Sequence, residues 1–462
     1  MISPSPSPVV SRRLFLRQSA LAASGALVTG PLILRGAPDS TAANRRFTLA
    51  VVGCGGQGRS DLKNLLAAGA TLVALCDVDP AQIEKARAEA LKVGGEATTA
   101  AKAYADYRRL LDDAASFDGV LIATPDHWHA PLCAAFMRAG KHVYCEKPLA
   151  HSLAEVRSLR ELSRQSRVVT QMGNQGSASA SLRRCTELIR AGVLGQIREI
   201  RHWGVGVVAQ EGCATGEDPV PAGFNWDFWV GPAALRPYKQ DVYHPYKWRD
   251  WFDLGNGGLA DICCHAMNLP MRALDLSYPS RLVVNPQGDA ERPDKAAVEF
   301  HFPARGRLAP LVLHWQGKGL PSAEVLEPLT EVYKDKLPKG GLMVFGEKGI
   351  LYTSHWNTNG LIRLNGEPRL TDVTRHAATR DIPETLPRIK GHELEWVRAC
   401  QGEVKAFSDF ETGGLLTEIG LAGVVALRAG RSLEWDGAKM QATNAPEAAK
   451  FVRGEQRRKW LG

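Results

Sequence analysis

One short stretch constrains the fold more than any other. An apolar run at residues 47–52 (Phe47-Thr48-Leu49-Ala50-Val51-Val52) passes directly into Gly53-Cys54-Gly55-Gly56-Gln57-Gly58, and a segment with Leu62, Leu65 and Leu66 on one helical face follows. A strand, a glycine turn spaced G-x-G-x-x-G and a helix form the opening unit of a doubly wound parallel sheet that binds a dinucleotide. Each glycine has its own task. Gly53 permits the tight turn, Gly55 lets a pyrophosphate approach the backbone, and Gly58 lets helix and strand pack closely. The phosphates then face a helix N-terminus, where unpaired N–H groups and the helix dipole favour negative charge.

Three further strand ends point to the same crevice, since ligands of such sheets bind beyond the carboxyl ends of the strands. The strand at 71–76 ends in Asp77, 19 residues past Gly58, at the spacing of the carboxylate that accepts hydrogen bonds from the adenosine ribose. A carboxylate there favours NAD over NADP, although Arg59 offers an alternative partner for a 2′-phosphate. The strand at 119–123 runs into Thr124-Pro125-Asp126-His127-Trp128-His129, and 142–145 delivers Glu146-Lys147-Pro148. Gly53, Gly55, Gln57, Gly58, Asp77, Thr124, Pro125, His129 and Glu146 are the expected cofactor-binding residues. Lys147 precedes a proline, which biases it to extended backbone. A cation held beside a nicotinamide polarises a substrate hydroxyl or stabilises a developing alkoxide. His127 and His129 have no third ligand at sensible spacing, so no metal is expected.

The chain of 462 residues has room for more than one domain. Its net charge of +8 is concentrated at the ends. Arg12, Arg13, Arg17 and Arg35 lie in the leader, and Lys450, Arg453, Arg457, Arg458 and Lys459 in the tail. The body between is nearly balanced and carries no basic stripe, which argues against a nucleic-acid partner. Nine scattered cysteines lack metal-ligand spacing and read as small buried residues. The leader reads as a secretory signal of the twin-arginine kind: Arg12-Arg13 before Leu14-Phe15-Leu16, a mild apolar run to Leu34, then small residues. That run is too short and too glycine-rich to span a bilayer, so membrane contact is expected only during export, to an extracytoplasmic location. Free nicotinamide nucleotide is scarce outside the cell, so an exported dinucleotide enzyme is expected to retain its cofactor.

The expected organisation is a leader over 1–43, a dinucleotide-binding domain over 44–149 and an α/β domain over 150–462 that binds substrate and supports oligomerisation. In the last, residues 210–256 are rich in aromatic, glycine and proline residues, a composition suited to the apolar faces and polar edges of sugar rings, or simply to core packing. Asn174, Tyr243, His244, Trp248 and Arg249 are the expected substrate-binding residues. In Gly257-Gly258-Leu259-Ala260-Asp261-Ile262-Cys263-Cys264-His265, Asp261 and His265 share a helix face at i, i+4, a carboxylate beside an imidazole that it would orient as proton acceptor. Beyond residue 278 the pattern is strand-rich, predicting a large, open, mostly antiparallel sheet whose free face suits an oligomer interface.

Taken in order, Gly53-x-Gly55-x-x-Gly58, Cys76-Asp77, Thr124-Pro125-Asp126-His127-Trp128-His129, Glu146-Lys147-Pro148 and Gly257-Gly258-x-x-Asp261-x-x-x-His265 resemble the Gfo/Idh/MocA oxidoreductases, glucose-fructose oxidoreductase and inositol dehydrogenase among them. The resemblance implies a Rossmann domain, an α/β domain with an open sheet, assembly as a homodimer or homotetramer, bound NAD or NADP, and hydride transfer from a sugar-like polyol. It also implies that Lys147 contacts the substrate hydroxyl and that Asp261 and His265 form the acid-base pair. Asn268 departs from the aspartate many relatives carry three residues after the histidine. The family also contains redox-neutral NAD-dependent glycosidases, and a sugar-binding protein without turnover is a third reading.

Overall fold

The structure is a computed structural model that describes residues 46–206, 209–285, 297–317, 319–454 and 457. The expected leader, 1–43, lies outside them. The first sheet has six parallel strands: β1 (Thr48–Val52), β2 (Thr71–Cys76), β3 (Lys102–Tyr104), β4 (Gly119–Ile122), β5 (His142–Glu146) and β6 (Thr170–Gly173). Their order is β3-β2-β1-β4-β5-β6, so the direction of winding reverses between β1 and β4. Helices α1 (Gly56–Ala67), α2 (Pro80–Gly94), α3 (Tyr107–Asp112), α4 (Asp126–Arg138) and α5 (Leu153–Gln165) connect these strands. The sixth strand lies past residue 149, where the sequence placed the domain's end. Its pairing with β5 draws 150–173 into the first sheet.

The second sheet has ten strands: β7 (Ile197–Trp203), β8 (Arg281–Asn285), β9 (Ala297–Phe302), β10 (Leu311–Trp315), β11 (Gly341–Gly346), β12 (Gly349–Thr353), β13 (Gly360–Leu364), β14 (Thr371–Asp372), β15 (Leu433–Asp436) and β16 (Gln441–Ala442). All its neighbours pair antiparallel except β7 and β10, which run parallel. Alternation divides the faces. Ile200, Phe300, Leu313 and Leu351 enter the main core. Glu199, Glu299, His301 and His314 stay partly exposed on the other side, where a smaller cluster gathers Trp203, Met343 and Tyr352 with Val325, Leu326 and Leu329.

The remaining helices are α6 (Ala180–Arg190), α7 (Trp226–Val230), α8 (Gly257–Ala266), α9 (Asn268–Ala273), α10 (Ala323–Tyr333), which packs on the outer face of the second sheet, α11 (His392–Cys400) and α12 (Phe410–Ala429). The apolar α12 packs on both α5 and α8. Glycines allow the close approach: a Cβ at Gly414 would lie 2.5 Å from Arg160 Cγ on α5, and one at Gly420 3.0 Å from Cys263 Cβ on α8. This packing sets α8, with Asp261 and His265, against the carboxyl ends of β4 and β5.

Candidate active site

A cleft of about 550 Å³ opens at the reversal point between β1 and β4 and runs to α8. Its floor is the glycine turn. Gly53 has φ +88°, and a Cβ there would lie 2.6 Å from the carbonyl of Ala123. A Cβ on Gly58 would lie 2.1 Å from the Gly53 oxygen, whereas one on Gly55 would meet nothing within 4 Å. The first and third glycines are therefore required by packing, and the second by whatever enters the cleft. The N-terminus of α1 has no side-chain cap and no acidic residue in its first turn, leaving its N–H groups for an anion.

Asp77 is fixed at the far side of the turn. Its carboxylate accepts the N–H of Cys54 at 2.7 Å and the N–H of Asp79 at 2.9 Å, while burial lifts its pKa to about 6. Arg59 is engaged elsewhere, donating to Gln82 Oε1 at 2.8 Å and the Cys54 oxygen at 3.0 Å. Thr124 lines the cleft with a buried hydroxyl oxygen that has no partner among the described residues. An open space over Gly55, an uncapped helix end, a fixed carboxylate and an orphan hydroxyl fit a dinucleotide.

The other end of the cleft gathers charge. Lys147 Nζ donates to Asp261 Oδ1 at 2.5 Å, and Arg249 Nε stands 3.8 Å from the same oxygen. Burial opposes the charge on Lys147, but Asp261 and Glu146 outweigh it and hold the pKa above that of ordinary lysine. Burial likewise opposes ionisation of Asp261, and Lys147 and Arg249 reverse that, leaving its pKa below the usual carboxylate value. Asp126 is the contrast: burial, then the nearby Asp261 charge, push its pKa well above the usual value. His265 is 1% exposed, and both its ring nitrogens lack partners among the described residues. Burial, then Lys147, push its pKa well below that of an ordinary imidazole, so the ring is neutral.

The sequence paired Asp261 with His265. The structure corrects this: both line the cleft, but the Asp261 carboxylate is claimed by Lys147, a tighter ion pair than a neutral imidazole offers, and the His265 ring is left for a ligand. Gln57, Pro125 and Glu146 line the cleft as expected. Glu146 accepts from Gln175 Nε2 at 2.7 Å, and burial lifts its pKa to about 7. His129 does not line the cleft. Its ring lies between the carbonyls of Pro148 (2.7 Å) and Thr124 (2.9 Å), at the ends of β5 and β4, and burial lowers its pKa to about 4, so the neutral ring donates its one N–H to one of the two. His127 likewise contacts two carbonyls, those of Leu254 and Trp229.

Of the expected substrate-binding residues, Trp248 and Arg249 line the cleft, with the guanidinium 4.1 Å from the Trp248 ring centroid. His244 lines it at the other end, its Nε2 3.0 Å from Asp79 Oδ2, beside the Asp77 carboxylate. Tyr243 and Asn174 lie behind the walls. Tyr243 sits in an aromatic core with Trp226, Tyr238 and Trp251, its hydroxyl accepting the Ala214 N–H at 2.8 Å. Asn174 is buried and donates to the Cys264 carbonyl at 3.2 Å, which braces α8. Asn268 is also buried, bonded to Ser177 and Arg272. Sequence reasoning missed Asp126, Gln175 and Trp356 as cleft residues. Asp126 stood in a recognised motif; the other two carried no local signal.

Such a cleft, on a six-stranded parallel sheet with a mixed sheet behind it, defines an NAD-binding oxidoreductase fold. Residues 47–174 match the profile described as "Oxidoreductase family, NAD-binding Rossmann fold", and 201–299 the one described as "Oxidoreductase family, C-terminal alpha/beta domain". The chain thus carries the two domains of the Gfo/Idh/MocA oxidoreductase family. It is 37% identical over 145 residues to a glycosyl hydrolase family 109 protein of Stenotrophomonas maltophilia, covering 30% of this chain and 29% of that protein. It is 40% identical over 107 residues to inositol 2-dehydrogenase 1 of Saccharopolyspora erythraea, covering 23% of this chain and 29% of that one. The matched stretches therefore span under a third of either relative's length. Aldose-aldose oxidoreductase from Caulobacter crescentus, solved with glycerol, shares the fold at TM-score 0.56 and 18% identity, over 84% of this chain and 100% of that one.

Proposed function

We propose that this protein oxidises a secondary hydroxyl of a sugar-like polyol, passing hydride to an NAD that it retains, and that a second, carbonyl substrate takes that hydride back from the NADH before the next turnover. The observation that carries the reading is the neutral, unpartnered His265 in the same cleft as the charged Lys147 and the dinucleotide cradle. Bound nicotinamide supplies the hydride acceptor. Asp77 would hold the ribose hydroxyls and the N-terminus of α1 would take the pyrophosphate, while Thr124 offers its hydroxyl within the cleft. His265 accepts the proton from the substrate hydroxyl as the carbon–hydrogen bond breaks. Lys147 keeps two donors after serving Asp261, and it steadies the negative charge that develops on the substrate oxygen. Asp261 keeps Lys147 charged and aimed.

Three finer points belong to the same reading. Retention is supported by the 210–256 segment, which reaches the Asp77 side through His244 and roofs the cleft. Export is supported by Arg12-Arg13 and the apolar run after them, and assembly into a dimer or tetramer by the partly uncovered face of the second sheet. Redox-neutral glycoside cleavage on the same residues is the second reading, favoured by the likeness to glycosyl hydrolase family 109 proteins.

The test is direct. Protein purified from its native compartment is denatured and the supernatant assayed for nucleotide, which should be present. Intact protein is then given polyols and aryl glycosides, following NADH absorbance and aglycone release separately. NADH from a polyol supports dehydrogenation, and aglycone without net NADH supports cleavage. Neither signal from any sugar defeats both.

A further inference from the structure

Nine of the ten described tryptophans are buried, and Trp356 alone is exposed, at 44%. It is not on an idle surface: it lines the cleft beside His265, with ring centroids 4.3 Å apart and planes at 57°. An indole left half in water costs solvation unless something covers it.

The loop that presents Trp356, between β12 and β13, is rigidly built. The Trp356 carbonyl packs so closely on Gly176 that a Cβ there would lie 2.1 Å from its oxygen. Asn357 takes the left-handed conformation at φ 56°, and its buried side chain accepts the N–H of Leu269 at 3.0 Å and donates to the Ser354 carbonyl at 3.1 Å. Asn359 accepts the Ser354 N–H at 2.9 Å. Leu269 lies in α9, which begins two residues after α8 ends, so the hydrogen bond to Asn357 anchors the loop that carries the indole to the helix directly following the one with His265. Most aromatic residues of 210–256 are spent differently. Trp226, Tyr238, Tyr243 and Trp251 form a core of their own, Trp229 and Trp248 line the cleft but are buried in that same core, and the exposed Tyr246 lines the cleft with the Arg249 guanidinium 4.4 Å from its ring centroid.

We propose that Trp356 is the specificity-determining platform of this cleft, stacking on the C–H face of a cyclic substrate, a pyranose or cyclitol ring, so that a ring hydroxyl meets His265 and Lys147. This rests on the reading of the cleft as a polyol site and narrows it to ring-form substrates. A saccharide ring has an apolar face and a polar edge. The half-exposed indole suits the first, while His265, Gln175 and Lys147, all lining the same cleft, suit the second. An open-chain polyol presents no such face and gains nothing from the ring.

The test compares wild type, W356A and W356F, each loaded with NAD, on D-glucose, methyl β-D-glucopyranoside, myo-inositol and the open-chain sorbitol. Binding of each to NADH-loaded protein is measured separately by saturation-transfer NMR. For the ring compounds, W356A should raise KM and weaken binding about tenfold, with kcat within about twofold. W356F should recover most of the loss, and sorbitol should show no difference among the three. Ring-sugar turnover with an unchanged KM in W356A overturns the platform and leaves the dehydrogenase standing. Ring-sugar binding that W356A weakens, without NADH from any compound, keeps the platform and overturns dehydrogenation. Absence of saturable ring-sugar binding to wild type overturns both.

Discussion

The ammonium of Lys147 lies 2.5 Å from the carboxylate of Asp261, a residue 114 positions further along the chain, and this pair leaves His265 uncommitted. Lys147 comes from the end of β5 and Asp261 from α8, so the ion pair joins the nucleotide half to the second half at the point where chemistry is proposed.

Asp261→Asn should lower kcat far more than it raises KM, by roughly 10²-fold, because it leaves a buried lysine without its counter-charge. The carboxylate holds the Lys147 pKa above its ordinary value, so its loss lowers that pKa. The alkaline limb of kcat/KM should then move to lower pH. An unmoved limb would separate Asp261 from the state of Lys147.

His265→Ala should reduce kcat by roughly 10²- to 10⁴-fold while leaving NAD affinity as it was. The ring makes no hydrogen bond within the described structure, so its removal breaks no framework hydrogen bond and loses only the ring contact with Trp356. Equilibrium dialysis of NAD beside steady-state rates checks both halves; a parallel fall in NAD affinity would assign His265 to the nucleotide instead.

Discrimination between NAD and NADP should depend on pH through Asp77. Burial raises this carboxyl to about 6, so it is ionised above that pH and repels a 2′-phosphate, and it becomes neutral below. The ratio of the NADP to the NAD dissociation constant should therefore shrink as pH falls from 7.5 to 5, by about tenfold. Asp77→Asn should show a small ratio throughout. Fluorescence titration of nucleotide-free protein measures it.

Gly55→Ala and Gly58→Ala should fail in opposite ways. A methyl at 55 meets no protein atom within 4 Å, so the apo protein should unfold at the same denaturant concentration, within about 0.5 kcal/mol, yet bind NAD weakly. A methyl at 58 lies 2.1 Å from the Gly53 oxygen and should destabilise the fold itself by about 1–3 kcal/mol. Denaturation curves with and without NAD distinguish the two.

The nucleotide half was legible because its constraints are local. Gly53 and Gly58 are demanded by the turn they form, and Asp77 by the strand that carries it, so spacing alone locates them. Asp261 and His265 were visible as helix neighbours, but their partners were not, because a side chain chooses among groups that the tertiary fold delivers. Lys147 outcompeted His265 for Asp261 for that reason. Tyr243, Asn174 and His129 show the converse: polar groups at suggestive positions were absorbed by backbone carbonyls and amides that needed partners. Trp356 was illegible, since nothing in the chain around it separates an indole that will face a cleft from one that will be buried.

The glycines along α12 extend the reach of this cleft well beyond its walls. A Cβ at Gly413 would lie 2.7 Å from Met172 Cβ on β6, and one at Gly423 2.7 Å from Phe300 on β9, in addition to the contacts of Gly414 and Gly420. One helix thus sets the spacing of two sheets through side chains it does not have. A methyl added on that helix would press on β6, β9, α5 or α8, so the spacing of imidazole and ammonium on which the proposed chemistry depends rests partly on residues that touch neither substrate nor nucleotide.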